Sequence, residues 1–152
     1  MKILHIIPAY PPSEGYGGAP MVAFEICTHL AAREHEVCIY TTDANNSQTR
    51  LITVPQEKGS NTEITRFKNI SNYLAFHYRL CLSPGMIFRG AEIRSFDVVH
   101  IHDFRTFQSI IGFAYCKLFG VPYVLQPHGK PPIQREYRAQ KMKKIFDILI
   151  GK

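Results

Sequence analysis

The chain has 152 residues, of which 45% are apolar and 20% are charged, a balance typical of one globular domain with its own core. No apolar run is long enough for a transmembrane helix, and proline interrupts the first apolar run too early for a signal peptide. The net charge of +6 suits an anionic partner, but the absence of any nucleic-acid-binding motif argues against nucleic acid.

Short apolar runs alternate with amphipathic segments along the chain, which predicts alternating strands and helices. The predicted strands cover residues 3–7, 36–42, 63–67, 97–102 and 121–126. The predicted helices cover residues 20–33, 71–80, 84–94, 106–119 and 133–150. Ser83 is the predicted N-cap of the third helix, and Gly120 is the predicted C-cap of the fourth. The alternation predicts an α/β fold, a Rossmann-like parallel sheet with helices on both faces.

The four cysteines show neither metal-binding nor redox spacing, and each lies in an apolar stretch. They are Cys27, Cys38, Cys81 and Cys116. We expect free, partly buried thiols, as in a protein of the reducing cytoplasm.

Ligands of parallel α/β sheets bind beyond the carboxyl ends of the strands. This rule selects three loops, at residues 8–19, 102–105 and 127–132, and these loops hold the unusual polar residues of the sequence. The three loops are therefore predicted to form one site.

The first loop contains Gly15-Tyr16-Gly17-Gly18 directly before a helix. Glycines there can let backbone N–H groups approach a phosphate, or can simply serve a turn. A dinucleotide site is a competing interpretation, with Asp43 as its ribose-binding acid. However, Pro20 stands where the third glycine of that motif belongs, and the loop is too long for its tight turn.

His100 and His102 alternate with apolar residues on a strand, so both side chains point to the same face. One interpretation is a metal-binding pair. The alternative, which we favour, is a structural His100 within the sheet and a site formed by His102 and Asp103 at the strand end. We predict no metal.

The third loop begins with His128-Gly129-Lys130. His128 can donate a hydrogen bond to a sugar hydroxyl or phosphate, Gly129 allows a sharp turn, and Lys130 offers a cation to a phosphate. A basic helix at residues 133–150 and an aromatic, basic stretch at residues 73–94 are candidates for contact with an anionic membrane.

Four segments together resemble retaining GT-B glycosyltransferases of family four. They are residues 1–12 with Gly17-Gly18, residues 34–42, residues 97–103 and residues 121–129. In the second segment, Glu34 replaces the family's usual glycine.

The resemblance implies transfer of a sugar from a nucleotide-sugar donor to a glycan or lipid-linked acceptor, with retention at the anomeric carbon and without a metal or other cofactor. It implies that His128 is catalytic and contacts the donor sugar. It places Gly17 and Gly18 near the donor diphosphate or the acceptor, and residues from His102 to Arg105 at the acceptor pocket.

The resemblance also implies that residues 1–152 form a single acceptor-side domain, incomplete at its C-terminus and without the family's separate donor-binding domain. We therefore expect little transfer by the chain alone, in the cytoplasm or at the inner face of the membrane. The alternatives are a non-catalytic binding module of the same fold and, less favoured, an NAD-type enzyme.

Overall fold

A computed structural model describes residues 1–13, 15–51 and 61–128. Its strands are β1 (Lys2–Ile6), β2 (Glu36–Thr42), β3 (Thr62–Phe67), β4 (Val98–His102) and β5 (Tyr123–Gln126). Its α-helices are α1 (Ala19–Ala32), α2 (Asn72–Tyr78), α3 (Gly85–Phe88) and α4 (Phe107–Phe119), and a 3-10 helix spans Gly90–Ser95.

The five strands form one parallel sheet in the order β3-β2-β1-β4-β5. The predicted Rossmann-like α/β fold is confirmed. The register of β1 and β4 places His5 opposite His100. Sequence patterning alone gives strand positions but not this pairing, and the pairing forms the core of the site.

Helices cover both faces of the sheet, as predicted. On one face, Ala23 and Cys27 of α1 pack with Val37 and Ile39 of the sheet. On the other face, α4 comes close to the sheet at Gly112, where an added Cβ would lie 2.6 Å from Cδ1 of Ile6. The two apolar faces of the sheet are thus buried by different helices.

The boundaries of α4 follow local signals in the sequence. The Thr106 hydroxyl accepts a hydrogen bond from the Ser109 amide, and the Ser109 hydroxyl accepts one from the Thr106 amide, which forms a reciprocal cap. Gly120 ends the helix in the left-handed region at φ 69°, as predicted. The next strand starts only at Tyr123, because the Val121 amide still bonds to the Cys116 carbonyl.

The predicted helix over residues 84–94 is wrong, and so is its cap at Ser83. The α-helix ends at Phe88, and a separate 3-10 helix begins at Gly90, where the Tyr115 ring lies in the space that a Cβ would fill. The Ser83 hydroxyl accepts from the buried Gln108 amide at 2.9 Å instead of capping the helix. Tertiary contacts with α4 therefore override the local helix signal.

All four cysteines are free and buried, which agrees with the predicted thiols. Burial raises the pKa of the Cys27 thiol to about 12 and that of Cys116 to about 11, so both side chains behave as apolar core residues. Among the helices of the described ranges, none is both long and apolar enough to cross a bilayer.

Candidate functional site

The three predicted loops follow β1, β4 and β5, which are neighbours in the sheet. Because these strands are parallel, their carboxyl ends lie at the same edge. The strand order reverses direction between β1 and β4, which is the position where ligands bind in folds of this type. The loop that begins at residue 103, the turn at His128 and the glycine-rich loop therefore all lie at the carboxyl edge of the sheet, as one shared site requires.

The first half of the loop after β1 is fixed to the sheet by hydrogen bonds. The Thr42 hydroxyl donates to the Pro8 carbonyl at 2.6 Å. The Arg66 guanidinium donates to the carbonyls of Tyr10 at 3.2 Å and Pro11 at 2.6 Å. Side chains of β2 and β3 thus hold the base of this loop in place.

The second half of the loop contains two glycines that need a positive φ, Gly15 at 75° and Gly17 at 78°. Gly15 lies against Phe76, since an added Cβ would be 2.9 Å from the ring, and its carbonyl accepts from Arg79 at 2.7 Å. Gly17 and Gly18 are exposed and lead directly into α1. Among the described residues, chain neighbours apart, no atom would lie within 4 Å of a Cβ at either glycine, which leaves space for a ligand beside the start of α1.

Four histidines meet between β1, β4 and the turn after β5. Nδ1 of His5 lies 2.9 Å from Nε2 of His102, and Nδ1 of His102 lies 3.0 Å from Nε2 of His128. His100 stacks on His102 with ring centroids 4.0 Å apart. The cluster thus runs from the interior of the sheet to its carboxyl edge.

Two members of this histidine cluster are completely buried. His5 and His102 are both 0% exposed, whereas His128 is half-buried. Burial, aided by the neighbouring histidines, lowers the pKa of His5 to about 3 and that of His102 to about 2. Burial also lowers the pKa of His100. The buried rings are therefore neutral at physiological pH.

His5, His100 and His102 offer ligand atoms within 4.8 Å of one another, so a metal site has to be considered. The lone pair of an imidazole nitrogen lies in the ring plane, and a bound metal lies near that plane. The rings of His100 and His102 stack with an interplanar angle of only 30°, and both nitrogens of His102 already bond to other histidines. This arrangement favours a hydrogen-bonded chain over coordination.

Two of the other predicted site residues lie within the described part of the chain, and two lie outside it. Asp103 and Arg105 directly follow β4, and both have positive φ, at 67° and 65°. The Arg105 guanidinium lies over the Phe104 ring at 4.7 Å. Gly129 and Lys130, together with the helix predicted at residues 133–150, lie outside the described residues.

The dinucleotide interpretation needed the Asp43 carboxylate for a ribose. The Asp43 carboxylate instead accepts a hydrogen bond from the Arg50 guanidinium at 2.9 Å and another from the backbone N–H of Asn69 at 2.8 Å. Both of its carboxylate oxygens are therefore engaged within the protein. The residue ties the segment after β2 to the segment after β3.

A cavity of about 390 Å³ lies near the amino ends of the strands, away from the predicted loops. Two charged residues that line it, Arg89 and Glu92, pair with each other through a 2.6 Å bond. The carboxyl edge remains the better candidate, because Gly17 and Gly18 are exposed there and His128 is only half-buried.

Three residues that shape the site were not predicted from the sequence. His5 and Arg66 fall in the predicted strands 3–7 and 63–67, and Arg79 falls in the predicted helix 71–80, without any role at the site. Their partners lie 97, 55 and 64 residues away along the chain. The only sequence signal for His5 is a polar residue within an otherwise apolar strand.

A comparison with protein families identifies the family to which the chain belongs. A family model described as Glycosyltransferase Family 4 matches residues 16–151, which is most of the chain. No curated protein matches the chain. The matched range includes α1, all later strands and the turn at His128, and on this evidence the chain belongs to glycosyltransferase family 4.

Proposed function

We propose that the chain is the acceptor-side domain of a transferase that moves a sugar from a nucleotide-sugar to a glycan or lipid-linked acceptor, with retention of configuration. This proposal rests on the match to the family model. It is supported by a parallel sheet in which the three polar loops follow neighbouring strands at one edge. Such an edge can hold a phosphorylated donor and a sugar acceptor side by side.

The proposed roles follow from the chemistry of each loop. Gly17 and Gly18 allow the diphosphate to approach the start of α1, where N–H groups and the helix dipole favour negative charge. His128 contacts the donor sugar, and Asp103 and Arg105 border the acceptor. Lys130 adds a cation, so the leaving diphosphate is stabilised by the protein without a metal.

We further propose that a donor-binding domain supplies the opposite wall of the cleft. Transfer requires the anomeric carbon and the acceptor hydroxyl to be held in contact distance and aligned. The described sheet provides one wall, with His128 only half-buried at its edge. Binding of acceptor alone is therefore expected for this domain, and turnover for the two-domain assembly.

Replacing His128 with alanine in the active assembly is expected to lower sugar transfer by about 100-fold, as for loss of one polar contact in a transition state. Release of nucleoside diphosphate from a panel of nucleotide-sugars measures the effect, and thermal melting checks the fold. His29→Ala is the matched control, because His29 is exposed on α1, outside the histidine cluster. Unchanged turnover in His128→Ala would refute this role.

We also propose peripheral contact with an anionic membrane through the aromatic, basic segment at residues 73–94. Its exposed apolar side chains include Phe88 at 86%, Tyr78 at 67% and Tyr73 at 60%. Arg79, Arg89 and Arg94 outnumber the single acidic residue of the segment, Glu92. Apolar insertion combined with attraction to anionic lipid is how a protein surface binds a membrane without spanning it.

Phe88→Ser is expected to weaken binding to vesicles of anionic phospholipid, measured by co-sedimentation, by about 30-fold, because burial of this ring contributes roughly 2 kcal/mol. Leu118→Ser is the control, since Leu118 is 71% exposed but lies on α4, outside the segment. Equal binding by wild type and Phe88→Ser, or equal loss in both variants, would count against this surface.

A further inference from the structure

His102 is hydrogen-bonded through both of its ring nitrogens to other histidines. Nε2 lies 2.9 Å from Nδ1 of His5, and Nδ1 lies 3.0 Å from Nε2 of His128. In both pairs the ring centroids are 5.3 Å apart and the rings are close to parallel, at 26° and 11°. The bonded nitrogens therefore lie between the ring centres, as in-line hydrogen bonds require.

A neutral imidazole has one N–H donor and one acceptor nitrogen. Complete burial keeps His102 neutral, so it donates at one nitrogen and accepts at the other. The three rings must then all be oriented in the same sense. Either every proton points from His5 towards His128, or every proton points from His128 towards His5.

The buried end of the chain distinguishes these two directions. Among the described residues, Nε2 of His5 is buried and has no hydrogen-bond partner. If the protons pointed towards His5, this atom would be an unpaired N–H donor. If they point towards His128, it is an unpaired lone pair. Orphaned buried N–H groups are rare in proteins, which favours the second direction.

We propose that His102, which is itself bonded to His5, is a positioning residue that fixes the tautomer of His128, so that His128 carries its proton on Nδ1 and offers that N–H to the ligand. Nε2 of His128 is occupied as the acceptor from His102. The ligand group recognised is therefore an oxygen acceptor, such as a sugar hydroxyl oxygen or a phosphate oxygen. The assignment to a sugar ligand rests on the proposed function, whereas the tautomer does not.

The test is ¹⁵N-edited NMR of the histidine rings in the full 152-residue chain at neutral pH, without ligand. We expect one dominant tautomer for His128, with the proton on Nδ1, and Nδ1-protonated forms for His5 and His102. A His128 that is mainly Nε2-protonated, or an even mixture in the wild type, would overturn the proposal. Because no donor or acceptor is needed, this result is independent of whether transfer is observed.

Three variants separate positioning from packing. His102→Phe keeps a ring but removes the donor to Nε2 of His128, so the Nδ1 tautomer of His128 is expected to lose its dominance. His102→Asn is expected to restore it, because an amide N–H can occupy the position of Nδ1. His100→Phe is the matched control, since His100 stacks on His102 but contributes no bond to the chain of three rings.

An unchanged His128 tautomer in folded His102→Phe would overturn the proposal, as would a shift of equal size in His100→Phe. Adding Zn²⁺ alone gives a further outcome. If Zn²⁺ causes little or no shift of the histidine ring nitrogen resonances, the result supports the hydrogen-bonded chain of three histidines. Saturable, stoichiometric shifts of the His5, His100 and His102 nitrogens would show a metal site and would overturn it.

Discussion

Lowering the pH from about 7 to about 4 is expected to destabilise the protein by about 6 kcal/mol through two histidines alone. His5 and His102 are 0% exposed and are held neutral in the folded state, with pKa values lowered to about 3 and about 2. In the unfolded chain both return to the ordinary value of 6.5. A loss of this size is comparable to the whole stability of a typical domain.

The direction of this change in stability follows from proton uptake by the unfolded chain. Below pH 6.5 the unfolded chain binds a proton at each of these rings, while the folded protein does not, so acid favours unfolding. Each group then lowers the free energy of unfolding by about 1.4 kcal/mol per pH unit until its folded pKa is reached. The groups that face these rings are His100 and His128, and their positive forms would oppose protonation further.

Urea unfolding at a series of pH values between about 7 and 4 measures this effect. His5→Phe is expected to reduce the pH slope by about one proton in this range, whereas His29→Gln, at an exposed position, leaves it unchanged. The Glu92 carboxyl is exposed, and hydrogen bonds from Arg89 and Tyr40 lower its pKa. Its protonation therefore changes the stability of the fold only at pH values near and below the ordinary pKa of a carboxyl group. A flat stability profile down to pH 5 would contradict the burial of neutral histidines.

The fold was predictable because its signals are local. Apolar runs such as residues 36–42 identify buried strands, and the Thr106 and Gly120 caps identify a helix. The helix predicted after Ser83 failed because the deciding contacts, those of Gly90 with Tyr115 and of Ser83 with Gln108, are tertiary. Local propensity cannot report on a partner 25 residues away.

The site was predictable only in part for the same reason. Sequence order and the sheet rule brought Gly17, Asp103 and His128 to one edge, since this needs only parallel strands. The histidine chain also needs the register that places His5 opposite His100, and no sequence pattern gives that register. His102 was predicted as a site residue at the strand end. In the structure it is completely buried and bonds to His128.

Replacing Arg66 with methionine is expected to destabilise the protein by about 2–4 kcal/mol and to loosen the loop after β1. The guanidinium donates to the carbonyls of Tyr10, Pro11 and Thr42, at 3.2, 2.6 and 3.5 Å. Methionine keeps the length and much of the apolar stem but leaves these carbonyls without their charged donor. The loop then loses the contact that joins its base to β3.

Hydrogen exchange distinguishes this local effect from general destabilisation. Faster exchange in Arg66→Met is expected first at residues 9–18, before the amides of β1 and β2 respond. Arg33→Met is the matched control, because Arg33 is exposed at the end of α1. The exchange rates in Arg66→Lys are expected to lie between those of Arg66→Met and Arg33→Met, since one ammonium cannot reproduce the planar set of donors. If Arg66→Met were as stable as Arg33→Met, the loop would have to be held by its other contacts, the Thr42 bond to Pro8 and the Arg79 bond to Gly15, and the glycines would not depend on β3 for their position.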